Sequence, residues 1–311
     1  MRILVLGAGA TGGYFGARLI EVGADVTFLV RPARAERLAT GGLKVTSPEG
    51  DFHRPVTTVT AETLTATPYD LVRLSCKAYD LEPSLAAIAP AVGAQTMVLP
   101  LLNGLLHLDR LTTVFDANCI LGGFCHIGVS LAANGDIRHL SRIHYLTFGE
   151  QAGPPAARTE AVAALFARAN FTSRLSTNVL QEMWDKFVFL TTLAGVTCLM
   201  RANVGEIMST REGETIMREM FDECRAVAAA SGWSIPPPAS DFALSQLTDH
   251  GSAFTASMLR DIEAGLRTEA DHIVGDMLRR AREQDLPAPL LRLAYCHLQS
   301  HAARLLRGTP P

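Results

Sequence analysis

Charge of one sign is scarce in this sequence: 28 basic against 31 acidic residues leave a formal net charge of -3, with no long run of either sign. A nucleic acid is therefore not an expected partner, because a phosphate backbone asks for a concentrated basic face. Cysteine is sparse. Cys76, Cys119, Cys125, Cys198, Cys224 and Cys296 lie far apart in 311 residues, unlike the framework of a short secreted domain, so they read as reduced thiols of a cytoplasmic protein. A long hydrophobic run is missing as well. The longest mostly apolar stretch, Phe187 to Met200, carries three threonines and falls short of the roughly 18–20 residues that a membrane span needs. It is expected to form a buried helix, with no membrane partner. The N-terminal run Ile3-Leu4-Val5-Leu6 breaks at once into Gly7-Ala8-Gly9, so no export signal is expected.

What is present is apolar bulk: 48% of the 311 residues are hydrophobic, enough for about two domains with real cores. The first half alternates β-like and helical patterns. Arg2 to Leu6, Asp25 to Val30, Tyr69 to Ser75 and Thr96 to Leu99 read as strands; Thr11 to Val22 and Leu81 to Ala89 read as helices. That alternation argues for a parallel sheet with helices on its faces. Asn134-Gly135 between two β-like runs marks a hairpin. Beyond Asn178 the pattern is almost wholly helical. The expected fold class is α/β, with a parallel-sheet domain over 1–177 and an all-α domain over 178–311.

Gly7-Ala8-Gly9-Ala10-Thr11-Gly12 fits G-x-G-x-x-G between a strand and a helix. The first glycine permits a tight turn, the second lets a pyrophosphate approach the backbone, and the third lets helix and strand pack closely. Phosphate charge then meets unpaired N–H groups at the helix start. This makes the first domain Rossmann-type, with Gly7, Gly9, Ala10, Thr11 and Gly12 as cofactor-binding residues. At the end of the second strand an NAD site usually carries an acid that accepts from the ribose hydroxyls. Arg31 stands there instead, with Arg34 and Arg37 close behind. A guanidinium suits a 2′-phosphate, so NADPH/NADP is the expected cofactor.

Several ordered motifs, taken together, resemble the ketopantoate reductases (2-dehydropantoate 2-reductases) over nearly the whole chain. They are the glycine motif with Arg31, Cys76-Lys77-Ala78-Tyr79-Asp80, Leu102-Asn103-Gly104, Trp184-Asp185-Lys186-Phe187, and the stretch from Ser257 to Leu278. The resemblance implies NADPH-dependent reduction of a 2-oxo acid to a 2-hydroxy acid, with a place in pantothenate biosynthesis. It makes Lys186 the catalytic lysine and Glu269 the glutamate that closes the active site. It places Asn103 near nicotinamide and substrate, Ser257 on the substrate and Lys77 along the cofactor. The chemistry agrees with these roles. Hydride arriving at a carbonyl carbon builds negative charge on oxygen, which a protonated amine can stabilise and then protonate.

At two positions the chain departs from the family. Its biosynthetic members carry asparagines four and eight residues after the lysine, where this sequence has Leu190 and Ala194. Either Thr191, Thr192 or Asn203 compensates, or the substrate is a more apolar oxo compound. A rival from another class is a nucleotide-binding sensor that keeps the fold without turnover; retention of Lys186 and Glu269 argues against it. Cys119, Cys125, His126, His139 and His144 match no zinc spacing, so no metal is expected. The partner is a small 2-oxo acid, and the helical half has apolar surface enough for a homodimer without fixing a stoichiometry.

Overall fold

The computed structural model describes residues 1–308; the last three residues of the expected helical domain, 309–311, lie outside the described residues. The chain forms two compact units, Met1–Leu102 with His107–Leu180, and Asn103–Leu106 with everything from Gln181 onward. The second unit thus borrows a four-residue segment from the first half of the chain, and that segment begins with Asn103.

The first unit runs β1 (Arg2–Leu6), α1 (Ala10–Glu21), β2 (Asp25–Leu29), α2 (Pro32–Gly41), β3 (Leu43–Thr46), β4 (Phe52–Arg54), β5 (Thr57–Val59), β6 (Leu71–Leu74), α3 (Leu81–Ile88), β7 (Met97–Pro100), α4 (Leu106–Thr112), β8 (Leu121–Leu131), β9 (Ile137–Glu150), α5 (Ala157–Phe166) and β10 (Thr172–Leu175). Five strands make a parallel sheet in the order β5-β2-β1-β6-β7. Ile3, Leu4 and Val5 of its middle strand are wholly buried, as expected of a strand covered on both faces. Successive strands depart to opposite sides of β1. This is the switch point of a doubly wound sheet, beside which such folds bind their ligands.

A second, mixed sheet has the order β10-β9-β3-β4, with β8 antiparallel to β9. The hairpin signal is realised as a three-residue loop: Ala132 N donates to Asp136 O at 2.8 Å, and Gly135 takes a φ of +87°. The strands β3 and β4 were not expected from the sequence. They span four and three residues; β3 joins the sheet through a distant partner, Val45 pairing with Ile137, and β4 is antiparallel to β3.

The second unit contains α6 (Val179–Met200), α7 (Val204–Met208), α8 (Gly213–Ala230), α9 (Pro237–Leu247), α10 (Ser257–Glu263), a π-helical turn over Asp271–Gly275, α11 (Asp276–Glu283) and α12 (Pro289–Leu306). Here one expectation needs correcting. The apolar stretch from Phe187 is the continuation of a 22-residue helix that is long and apolar enough, by length and composition, to cross a membrane. Its polar first turns, with Gln181, Glu182, Asp185 and Lys186, hid its start from a count of apolar residues. Two features make it a core helix: 67% of its most apolar window is buried, and a Cβ added to Gly195 would lie 3.1 Å from Met220 Cε of α8.

Candidate active site

The first unit carries the glycine loop expected to bind the cofactor. β1 ends at Leu6, and Gly7 turns the chain with a φ of +86° while its N–H donates to Leu29 O of β2 at 2.8 Å. α1 then starts at Ala10, with Gly9 as its cap, no side-chain cap and no acid in its first turn. Its first amides are therefore left for an anion. Two observations fit a dinucleotide to this loop. The space beside Gly9 is open to 4 Å, whereas a Cβ on Gly12 would come within 2.3 Å of both Gly7 O and Ser75 Oγ. The loop must stay bare there for the helix to sit against the strand.

Sequence reasoning missed the arginine beneath this loop. Arg73 on β6 is wholly buried and donates through Nη2 to Gly12 O at 2.6 Å. Burial pushes its pKa down to about 10, so it still places a positive charge under the cradle at neutral pH. An arginine inside an apolar strand, Leu71-Val72-Arg73-Leu74, was the signal available. The arginines after β2 divide their tasks. Arg34 donates through Nε and Nη2 to Ala8 O at 3.2 and 2.9 Å, bracing the glycine loop. Arg31 is 80% exposed and pairs with Asp80 at 3.0 Å. Lys77 precedes the turn Ala78–Asp80 that carries this acid, and its carbonyl accepts from Asp80 N at 2.9 Å.

The second unit gathers side chains from separated segments. Lys186, half-buried in the second turn of α6, donates through Nζ to Asn103 Oδ1 at 3.1 Å, across 83 residues of sequence. Beside Asn103, Gly104 takes a φ of +80°, and a Cβ there would lie 2.9 Å from His272 O and 3.1 Å from His272 Cδ2. Only glycine allows this approach without strain. His272 belongs to the π-helical turn, which begins where Glu269 O accepts from both His272 N and Ile273 N at 3.1 Å. Asp271 in the same turn accepts from Tyr295 Oη of α12 at 2.7 Å. Such turns insert an extra residue into a helix and recur at functional sites. Glu269 is 7% exposed. The Asn103-Gly104 turn therefore joins the lysine on one side to the glutamate segment on the other. Ser257 is half-buried as the first residue of α10.

The face of α6 beyond Lys186 is apolar. Leu190 is half-buried and Ala194 is 1% exposed, one and two turns along. Of the three groups that could replace the missing amides, Thr192 donates to Val188 O at 2.9 Å. Asn203 caps α7, accepting from Glu206 N at 2.8 Å. Thr191 is fully buried, and its hydroxyl finds no partner among the described residues. Two of the histidines that match no zinc spacing have side-chain partners: His144 Nδ1 lies 2.7 Å from Tyr14 Oη, and His139 Nδ1 lies 2.9 Å from Ser47 Oγ. Among the described residues no cluster suited to a metal is present.

A doubly wound sheet with a bare glycine cradle, followed by a helical unit presenting a lysine held by an amide, defines a dinucleotide-dependent oxidoreductase. The comparisons with known proteins narrow this. Residues 3–153 match the family "Ketopantoate reductase PanE/ApbA" and residues 178–302 match "Ketopantoate reductase PanE/ApbA C terminal"; the chain belongs to the ketopantoate reductase family. An uncharacterized oxidoreductase, YkpB of Bacillus subtilis, is 34% identical over 97% of this chain and 99% of its own. A 2-dehydropantoate 2-reductase of Halobacterium salinarum is 28% identical over 94% of this chain and 96% of its own. Among solved structures, 2-dehydropantoate 2-reductase from Geobacter metallireducens superposes with a TM-score of 0.86 at 29% identity, covering 96% of this chain and 99% of that one. A D-mandelate dehydrogenase solved with NADH and anilino(oxo)acetate shares the fold, with a TM-score of 0.88 at 21% identity over 98% and 99% of the two chains. The protein is accordingly an oxidoreductase acting on CH–OH groups that takes NAD(P)H as its cofactor.

Proposed function

We propose that this enzyme reduces a small 2-oxo acid, ketopantoate or a close relative, to the 2-hydroxy acid with NADPH. The observation that carries the reading is the 3.1 Å contact from Lys186 Nζ to Asn103 Oδ1. When bound, the reduced nicotinamide supplies the hydride. The α1 amides and the charge of Arg73 hold the pyrophosphate, Lys77 lines the site, and Arg31 takes the 2′-phosphate. An ammonium at Lys186 has three donors. The contact with Asn103 aims the group, and the substrate carbonyl accepts from it during turnover. As negative charge builds on that oxygen, Lys186 stabilises it and then gives it a proton. Glu269, nearly buried, accepts from the ammonium or from the product hydroxyl, and Ser257 fixes the rest of the substrate by hydrogen bonding.

Leu190 and Ala194 favour an acid whose side chain is apolar next to the carbonyl. Neither offers a partner to a substrate hydroxyl, Thr192 and Asn203 are already engaged, and the third candidate, Thr191, is fully buried. A buried polar group without a partner would weigh against the hydroxylated substrate. The reading places the enzyme in the cytoplasm, in keeping with six free cysteines.

NADPH oxidation across a panel of 2-oxo acids and ketones, with Lys186→Ala as control, tests the proposal. Turnover of 2-oxo acids, ranked toward apolar side chains and lost in the variant, is the expected result. NADPH binding with no turnover on any substrate would leave a sensor. Ketopantoate outranking every apolar acid would return the enzyme to the biosynthetic step.

A further inference from the structure

The arginine assigned to the 2′-phosphate already has an anion. Arg31 Nη2 lies 3.0 Å from Asp80 Oδ2, with the arginine side chain 80% and the aspartate side chain 36% exposed. The two residues are 49 apart in sequence and meet because β2 and β6 both flank β1. Asp80 closes the turn Ala78–Asp80 and stands at the cap position of α3, yet its side chain makes no cap hydrogen bond there. What the helix start takes from this residue is its backbone carbonyl, which accepts from Ser84 Oγ at 2.6 Å. The carboxylate is therefore dispensable for the local fold.

Resting on the NADPH reading above, we propose that Asp80 is a specificity-determining residue that competes with the 2′-phosphate for Arg31 and so narrows the preference for NADPH over NADH. Carboxylate and phosphate seek the same fork of guanidinium donors. A phosphate with close to two negative charges displaces the aspartate, but it must break the existing pair and then sit near the released carboxylate. An NADH ribose has no phosphate and does not disturb the pair. Because the pair is solvent-exposed, its strength is at the low end for ion pairs, and the competition amounts to a small factor.

The test is calorimetric titration of the full-length enzyme with adenosine 2′,5′-bisphosphate and with adenosine 5′-monophosphate, on wild type, Asp80→Asn, Arg31→Ala and the double variant. Asp80→Asn is expected to tighten the bisphosphate about threefold and leave the monophosphate unchanged, with a parallel rise in the NADPH to NADH ratio of kcat/KM. Arg31→Ala is expected to lose most of the preference for the bisphosphate, and the gain from Asp80→Asn is expected to vanish in that background. An unchanged or weakened bisphosphate affinity in Asp80→Asn overturns the inference and leaves the NADPH reading intact. So does a full gain in the double variant, because simple repulsion would then be at work. An Arg31→Ala variant that binds both nucleotides like wild type overturns the NADPH reading and this inference together.

Discussion

The two candidate sites are built by opposite means. In the first, six consecutive residues, Gly7 to Gly12, make the cradle from bare backbone, and side chains serve it from beneath: Arg73 on Gly12 O and Arg34 on Ala8 O. In the second, side chains make the site, and the backbone serves them: the positive φ of Gly104 and the π-helical turn bring Asn103, Lys186 and the Glu269 segment into one cluster. A backbone cradle fails when an atom is added to it. A side-chain cluster fails when an atom is taken away.

The largest expected effect breaks the cradle. Gly12→Ala forces a Cβ to 2.3 Å from Gly7 O and Ser75 Oγ; NADPH affinity, read by fluorescence titration, is expected to fall by about 100-fold or more as the loop moves off the pyrophosphate. An unchanged affinity would show that the loop yields and is no cradle. On the other unit, removal is the test. Asn103→Ala takes the acceptor from Lys186 and is expected to lower kcat by about 30-fold, within the range for a mispositioned general acid. Its melting curve should stay near wild type, since Asn103 is only half-buried.

Addition of an atom to the second unit gives a smaller and chiefly structural effect. Gly104→Ala places a side chain at a φ of +80°, 2.9 Å from His272 O, and should destabilise the protein by about 1–3 kcal/mol in denaturant titration. Part of kcat should go with it, because Asn103 is the adjacent residue. The smallest effect sharpens the substrate question. Thr191→Val removes a buried hydroxyl that has no partner among the described residues, so it should be neutral or stabilise by up to about 1 kcal/mol in thermal melts. A loss of activity without a loss of stability would instead give Thr191 a role on the substrate.

The two regions also differ in how far they could be read in advance. The strand, glycine loop and helix were legible because they are contiguous: they follow one another within the first 21 residues, and local chemistry alone demands that order. The alternating strands and helices of the first unit, the Asn134-Gly135 hairpin and the helical character beyond residue 178 were legible for the same reason. The strands β3 and β4 were not, because three- and four-residue strands carry too little pattern; β3 takes its register from Ile137 and Arg138 on β9, and β4 only from β3.

For the side-chain site the sequence offered the residue types and, through the family resemblance, their names. It determined a glycine-built dinucleotide loop, an arginine where an NAD site would hold an acid, and an apolar helix face in place of two amides. Only the tertiary structure decided that Asn103 leaves the first unit to hold Lys186, that Arg73 charges the loop from below, and that Asp80 meets Arg31. The physical reason is distance along the chain. Backbone hydrogen bonding and turn geometry act over a few residues and leave motifs, whereas contacts across 49 to 83 residues arise only when the sheet and the helical core have packed.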